Sequence, residues 1–82
     1  MAVEIRWFAA ARAAVGRAAD SIPVAPGLTI GTVLADAARG SADAVEVLDR
    51  CSFLLNARRT VDRATPLAEG DRLDVLPPFA GG

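Results

Sequence analysis

The chain has no histidine and no lysine, only one cysteine, and no apolar run near the eighteen residues or so that a membrane helix needs. Without histidine, and with one cysteine, it cannot build a disulfide framework, a Cys/His zinc site, a four-cysteine iron–sulfur site, or a Ser-His-Asp or Cys-His catalytic group within one chain. All nine basic residues are arginines, so no ε-amine is available for an isopeptide bond to the chain itself, and lysine chemistry has to come from a partner. A net charge of −1 excludes the broad cationic footprint that nucleic-acid backbones demand. No glycine-rich, lysine-bearing nucleotide loop is present, so any ATP-dependent step is expected in trans.

Eighty-two residues suffice for one domain with a modest core. The opening Met1-Ala2-Val3-Glu4-Ile5-Arg6 alternates apolar with charged residues and lacks the basic and long apolar regions of a signal peptide. The expectation is a cytoplasmic protein without membrane contact.

Strand periodicity runs from Ala2 to Phe8, with Val3, Ile5 and Trp7 on one face and Glu4, Arg6 and Phe8 on the other. Ala9 to Val15 reads as a short helical turn stopped by Gly16, or as a loop. A second strand lies within Ala18 to Val24, and Pro23 places it at or near an edge because proline cannot donate to a ladder. After a turn at Pro26-Gly27, Thr29 is the expected N-cap of the main helix, whose apolar positions Ile30, Val33, Leu34, Ala37 and Ala38 share one face. Thr32 stands where a capping box would have Glu, and Gly40 is the expected stop. Ser41 caps a second, shorter helix carrying Ala44, Val47 and Leu48.

Cys51 to Leu55 is an apolar run, Asn56 to Arg59 reads as a turn, and Thr60-Val61 begins a return strand. Arg72 to Leu76 alternates again, with Leu73 and Val75 opposed to Arg72 and Asp74, and prolines end it. The element order predicts an α+β fold in which one main helix packs on a mixed sheet of four to five strands. Residues 1–76 form the body and 77–82 an extended tail.

That tail, Pro77-Pro78-Phe79-Ala80-Gly81-Gly82, is where the sequence points to chemistry. At average glycine usage of about 7%, two glycines at a given place occur in roughly one chain in 200. The paired prolines fix φ and favour extended backbone, giving an arm of roughly 20 Å at about 3.3 Å per residue. Its α-carboxylate, on residues without side chains, is suited to entering a partner's active site.

Leu67-Ala68-Glu69-Gly70-Asp71, the following strand, and the ending Pro77-Pro78-Phe79-Ala80-Gly81-Gly82 resemble the end of the small subunit of molybdopterin synthase, a sulfur carrier related to ubiquitin. The opening strand followed by Phe8-Ala9-Ala10-Ala11-Arg12 is also similar. The resemblance implies a β-grasp fold with the first and last strands side by side at the sheet centre. It implies Gly82 as the site of adenylation and thiocarboxylation, and Gly81 with Ala80 as the residues that let the tail pass. Phe79 stands where relatives often have valine. The implied partners are a large synthase subunit, in a heterotetramer of two small and two large chains, and an adenylating enzyme of the ubiquitin-activating type that uses ATP. No cofactor is implied for this chain. The double proline separates it from the shorter thiamine carrier, while carriers for thiamine or cysteine biosynthesis and ubiquitin-like modifiers remain alternatives.

Leu55, Leu76, Pro77, Pro78 and Phe79 are the candidates for partner binding, with buried core as the competing reading of Leu55 and Leu76. Cys51 reads as a buried small hydrophobe rather than a persulfide relay, Trp7 as core, and Arg58 and Arg59 as a solvated turn.

Overall fold

A computed structural model describes residues 1–77. Five strands form one mixed sheet: β1 (Ala2–Trp7), β2 (Ala19–Pro23), β3 (Ser52–Leu55), β4 (Arg58–Thr60) and β5 (Arg72–Leu76), in the order β2-β1-β5-β3-β4. The helices are α1 (Ala9–Val15), α2 (Ile30–Ala37) and α3 (Ala42–Asp49). β1 runs parallel to β5, while the other three pairings are antiparallel. The strand nearest the end of the chain is therefore the middle of the sheet. No helix among the described residues is long and apolar enough to cross a membrane.

Period two sorts the sheet into two faces. Val3, Ile5 and Trp7 of β1, Phe53 of β3, and Leu73 and Val75 of β5 are buried against Ala11, Ile30, Val33, Leu34, Ala44 and Leu48 of the helices. Trp7 belongs to this core, as its spacing with Val3 and Ile5 predicts. Its indole N–H is satisfied by Asp20 Oδ2 at 2.8 Å, and Arg17 in turn pairs with Asp20. This arrangement ties the edge strand β2 to the core.

Local signals set the element ends. Gly16, at φ 86°, closes α1, and its N–H donates to the Arg12 carbonyl at 2.8 Å. Thr29 caps α2, and the capping box is complete despite the missing Glu. The Thr29 hydroxyl accepts from the Thr32 N–H at 3.2 Å, and the Thr32 hydroxyl accepts from the Thr29 N–H at 2.9 Å. A hydroxyl at that position reaches back as a carboxylate would.

The stop of α2 differs from expectation. Ala38, not Gly40, is the C-cap, and the Ala38 carbonyl accepts from Ser41 N–H at 3.0 Å, so Gly40 serves the turn into α3. Ser41 caps α3 through Ala44 N–H at 3.1 Å.

The β3–β4 turn is also shorter than its composition suggests. Asn56 and Ala57 both have positive φ, 52° and 68°, the pattern of a two-residue type I′ turn. Arg58 and Arg59 therefore lie in β4, where Leu55 pairs with Arg58 and Leu54 with Arg59. The turn is anchored by Asn56, whose side chain donates to Asp71 Oδ1 and accepts from Arg72 N–H, both at 2.9 Å.

Candidate functional site

The candidate site is the C-terminal end of β5, from which the proline-glycine arm departs. Pro77 is fully buried and lies one residue past the strand. The chain just before it is held from both sides. Trp7 pairs with Val75, Phe8 N–H donates to the Val75 carbonyl at 3.1 Å, and Ser52 pairs with Leu76. β5 is thus fixed between β1 and β3 up to Val75, and by β3 alone at Leu76, the last residue before the prolines. Gly82, Gly81, Ala80, Phe79 and Pro78 lie outside the described residues.

The remaining candidates do not form one surface. Leu76 is partly exposed on the open face of the sheet, the side away from the helices. Leu55 pairs with Leu73 on the inner face and packs against the core. Side chains alternate along β3, so the two leucines point to opposite sides. Two grooves on the helical layer, one lined by Leu34, Ala38, Val45 and Leu48 and the other by Ile22, Leu28 and Val33, include none of Leu76, Pro77 and Cys51.

The open face holds a feature that strand alternation alone does not reveal. Asp74, in the middle of the central strand, is only 5% exposed although it faces away from the helices. Arg6, its register partner on β1, covers it with a two-pronged contact, Nε to Oδ1 at 2.8 Å and a terminal nitrogen to Oδ2 at 3.0 Å. Arg72 approaches the same carboxylate at 3.9 Å, and the Arg6 guanidinium lies 5.5 Å from the centre of the Phe8 ring. Hydrogen bonding to Asp74, followed by its charge, holds the Arg6 pKa above the ordinary value, with burial acting weakly the other way. The readable signal was a pair of opposite charges on the polar faces of the first and last strands; the missing information was their register.

Cys51 stands at the same end of the sheet as Pro77, one residue before the Ser52–Leu76 pair. It is 8% exposed, and its thiol donates to the Val47 carbonyl at 3.3 Å. Burial pushes the thiol pKa up, while the nearby Arg63 charge opposes that shift. Arg63 also donates to the Leu48 and Asp49 carbonyls at 3.0 and 2.8 Å, closing the end of α3 beside the cysteine. The position is that of a buried apolar thiol.

Residues 5–82 match the model of the ThiS family. The chain belongs to the ThiS family. The fold is accordingly the β-grasp of this family of ubiquitin-like sulfur carriers, with the first and last strands adjacent at the sheet centre. Among solved structures, the Haloferax volcanii HVO 2177 protein is 30% identical with a TM-score of 0.78, the match covering 100% of this chain and 87% of that one. Small archaeal modifier protein 1 from the same organism is 26% identical, with a TM-score of 0.70 over 94% of this chain and 97% of that one. A chain from the complex of subunits 1 and 2 of the Helicobacter pylori molybdopterin-converting factor is also 26% identical, with a TM-score of 0.66 and 100% of both chains covered. No curated protein matches the chain.

Proposed function

We propose that this ThiS-family chain is the sulfur-carrier subunit of a molybdopterin synthase and that the carboxylate of Gly82 carries the sulfur. The observation that carries the reading is the continuity of the central strand with the arm. β5 is gripped on both sides up to Val75 and by β3 at Leu76, Pro77 is buried, and the next residues are Pro78-Phe79-Ala80-Gly81-Gly82. A rigid root followed by a second proline and a diglycine suits presentation of a carboxyl group at a distance from a docked body.

The chemistry follows from the poor leaving ability of a carboxylate oxygen. A partner adenylating enzyme lets the Gly82 carboxylate attack the α-phosphate of ATP, releasing pyrophosphate and forming an acyl-adenylate. Hydrosulfide supplied in trans then forms the C–S bond as AMP departs with the electrons of the C–O bond, and loss of the S–H proton to solvent leaves a thiocarboxylate. Inside a large synthase subunit the thiocarboxylate sulfur forms a C–S bond to a side-chain carbon of the cyclic pyranopterin phosphate as the C–O bond at that carbon breaks and the oxygen keeps the electron pair; water then cleaves the resulting thioester and returns the Gly82 carboxylate. This chain supplies the reacting terminus and the recognition body, and the partners supply ATP binding and acid–base groups. Likeness to a chain of the H. pylori subunit 1 and 2 complex supports a large-subunit partner.

A second reading, a modifier whose adenylate is captured by a partner lysine, has support in the likeness to small archaeal modifier protein 1. Carriers feeding thiamine or cysteine synthesis share the first chemistry and differ in the acceptor. Intact mass after incubation with an adenylating enzyme, ATP and a sulfur source separates the two classes. One oxygen-for-sulfur exchange at Gly82 is expected; a stable amide conjugate without that exchange would overturn the carrier assignment. The branch is tested by adding the purified large subunit and the pyranopterin substrate, where dithiolene formation is expected and its absence from a thiocarboxylated chain would reject the molybdopterin branch.

A further inference from the structure

We propose that the body of this chain is chemically closed to its own activated terminus, so that every acyl transfer from Gly82 goes to a different molecule. The proposal rests on the reading of Gly82 as an activated carboxyl. Self-capture would form a C–N or C–S bond at the Gly82 carbonyl carbon while the bond to AMP, or to sulfur, breaks. The leaving group takes the electron pair, and the proton of the attacking group passes to solvent. In water the side chains that carry out such captures are amines and thiolates; hydroxyls need a base, and the chain has no histidine to supply one.

The inventory of acceptors is correspondingly short. Lysine is absent from all 82 positions, and all nine cations are guanidinium groups, which stay protonated and do not attack acyl carbon. The single thiol, Cys51, lies at the end of the sheet from which the arm departs, where an exposed thiolate would be the first group met. It is covered there, donates to the Val47 carbonyl at 3.3 Å, and sits in surroundings that disfavour its ionised form. The α-amino group at Met1 is exposed, but parallel pairing of β1 with β5 puts it at the far end of the sheet. Trp7 pairs with Val75, so Met1 and Pro77 are separated by about eight strand steps, roughly 26 Å at 3.3 Å each. Five residues beyond Pro77 reach about 17 Å when fully extended. The arm cannot close on that amine. Under the modifier reading the same inventory excludes side-chain-linked polymers of this chain, leaving one copy per acceptor lysine.

The test uses the full chain ending at Gly82, prepared as a C-terminal thioester with a small thiol, so it needs no activating enzyme and is independent of whether sulfur transfer occurs in nature. At micromolar concentration and pH 8, intact mass should show only slow hydrolysis, whereas added free lysine should give the amide adduct. Arg12→Lys, Arg59→Lys and Arg72→Lys thioesters, each placing an amine at an exposed position, should yield self-linked products absent from the parent chain. Maleimide labelling of Cys51 should be at least about tenfold slower in the folded chain than in urea. A cyclic product, or a dimer joined through a side chain, from the parent chain would overturn the proposal, as would labelling of folded Cys51 at the unfolded rate or inertness of all three lysine variants.

Discussion

The two faces of the sheet solve the same burial problem by different means. On the inner face Ile5, Trp7, Phe53, Leu73 and Val75 exclude water by apolar contact with the helices. On the open face Asp74 is nearly as inaccessible, but an arginine from the neighbouring strand covers it, and that guanidinium lies in turn over the ring of Phe8. Apolar burial is non-directional and tolerates repacking, whereas a carboxylate taken from water needs its donor in one geometry. The difference shows that the central strand is keyed to β1 from both sides: by packing below and by a charge pair above.

Substitution separates these contributions. Phe53→Ala removes a ring that packs in the core beneath Arg63, and should cost about 3–5 kcal/mol in urea unfolding. For a domain of this size that corresponds to a fall in Tm of more than about 10 °C. A smaller loss would show that the inner face repacks freely. On the open face Arg6→Leu should lower the Tm by less than Phe53→Ala does. It leaves Asp74 covered but facing only Arg72 at 3.9 Å. The double change Arg6→Leu with Asp74→Leu should recover most of that loss, because an apolar pair removes the unpaired charge together with its partner. A double variant as unstable as the single would mean that geometry, not charge balance, fixes this position.

The smallest effect concerns the thiol at the margin of the inner face. Its pKa is raised on folding, so the folded chain binds that proton more tightly than the unfolded chain. The associated stability is fully present below the ordinary thiol range, near pH 8.5, and is lost as pH rises through the higher folded value. Cys51→Ala should flatten the decline in stability above about pH 8.5 measured by urea titration. Parallel curves for the two chains would indicate a thiolate that folding does not disfavour.

Period two made the inner face legible in the sequence: Val3, Ile5, Trp7, Leu73 and Val75 announce their side, and Thr29, Ser41 and Gly16 announce element ends. The open face was legible only as polar. Which charges meet depends on a parallel register between residues 68 positions apart, which no local pattern encodes. The two arginines after Asn56 were misplaced because composition alone does not distinguish a four-residue turn from a type I′ turn with alanine at its second centre, where glycine is usual. The arm is the reverse case, evident in composition from Pro77 to Gly82, while its chemistry depends on enzymes outside the chain.

The position of β5 also has a kinetic side. The sheet's middle strand is made of residues 72–76, so β1 and β3 each await a neighbour encoded near the opposite end of the chain from β1. Closing so long a loop before its contacts reward it slows folding. Until it closes, two strand edges are open to pairing with other chains. A product cut short within residues 72–77 would therefore be left with exposed edges instead of a finished sheet, which makes completion of the arm's root a condition for a folded body that partners can recognise.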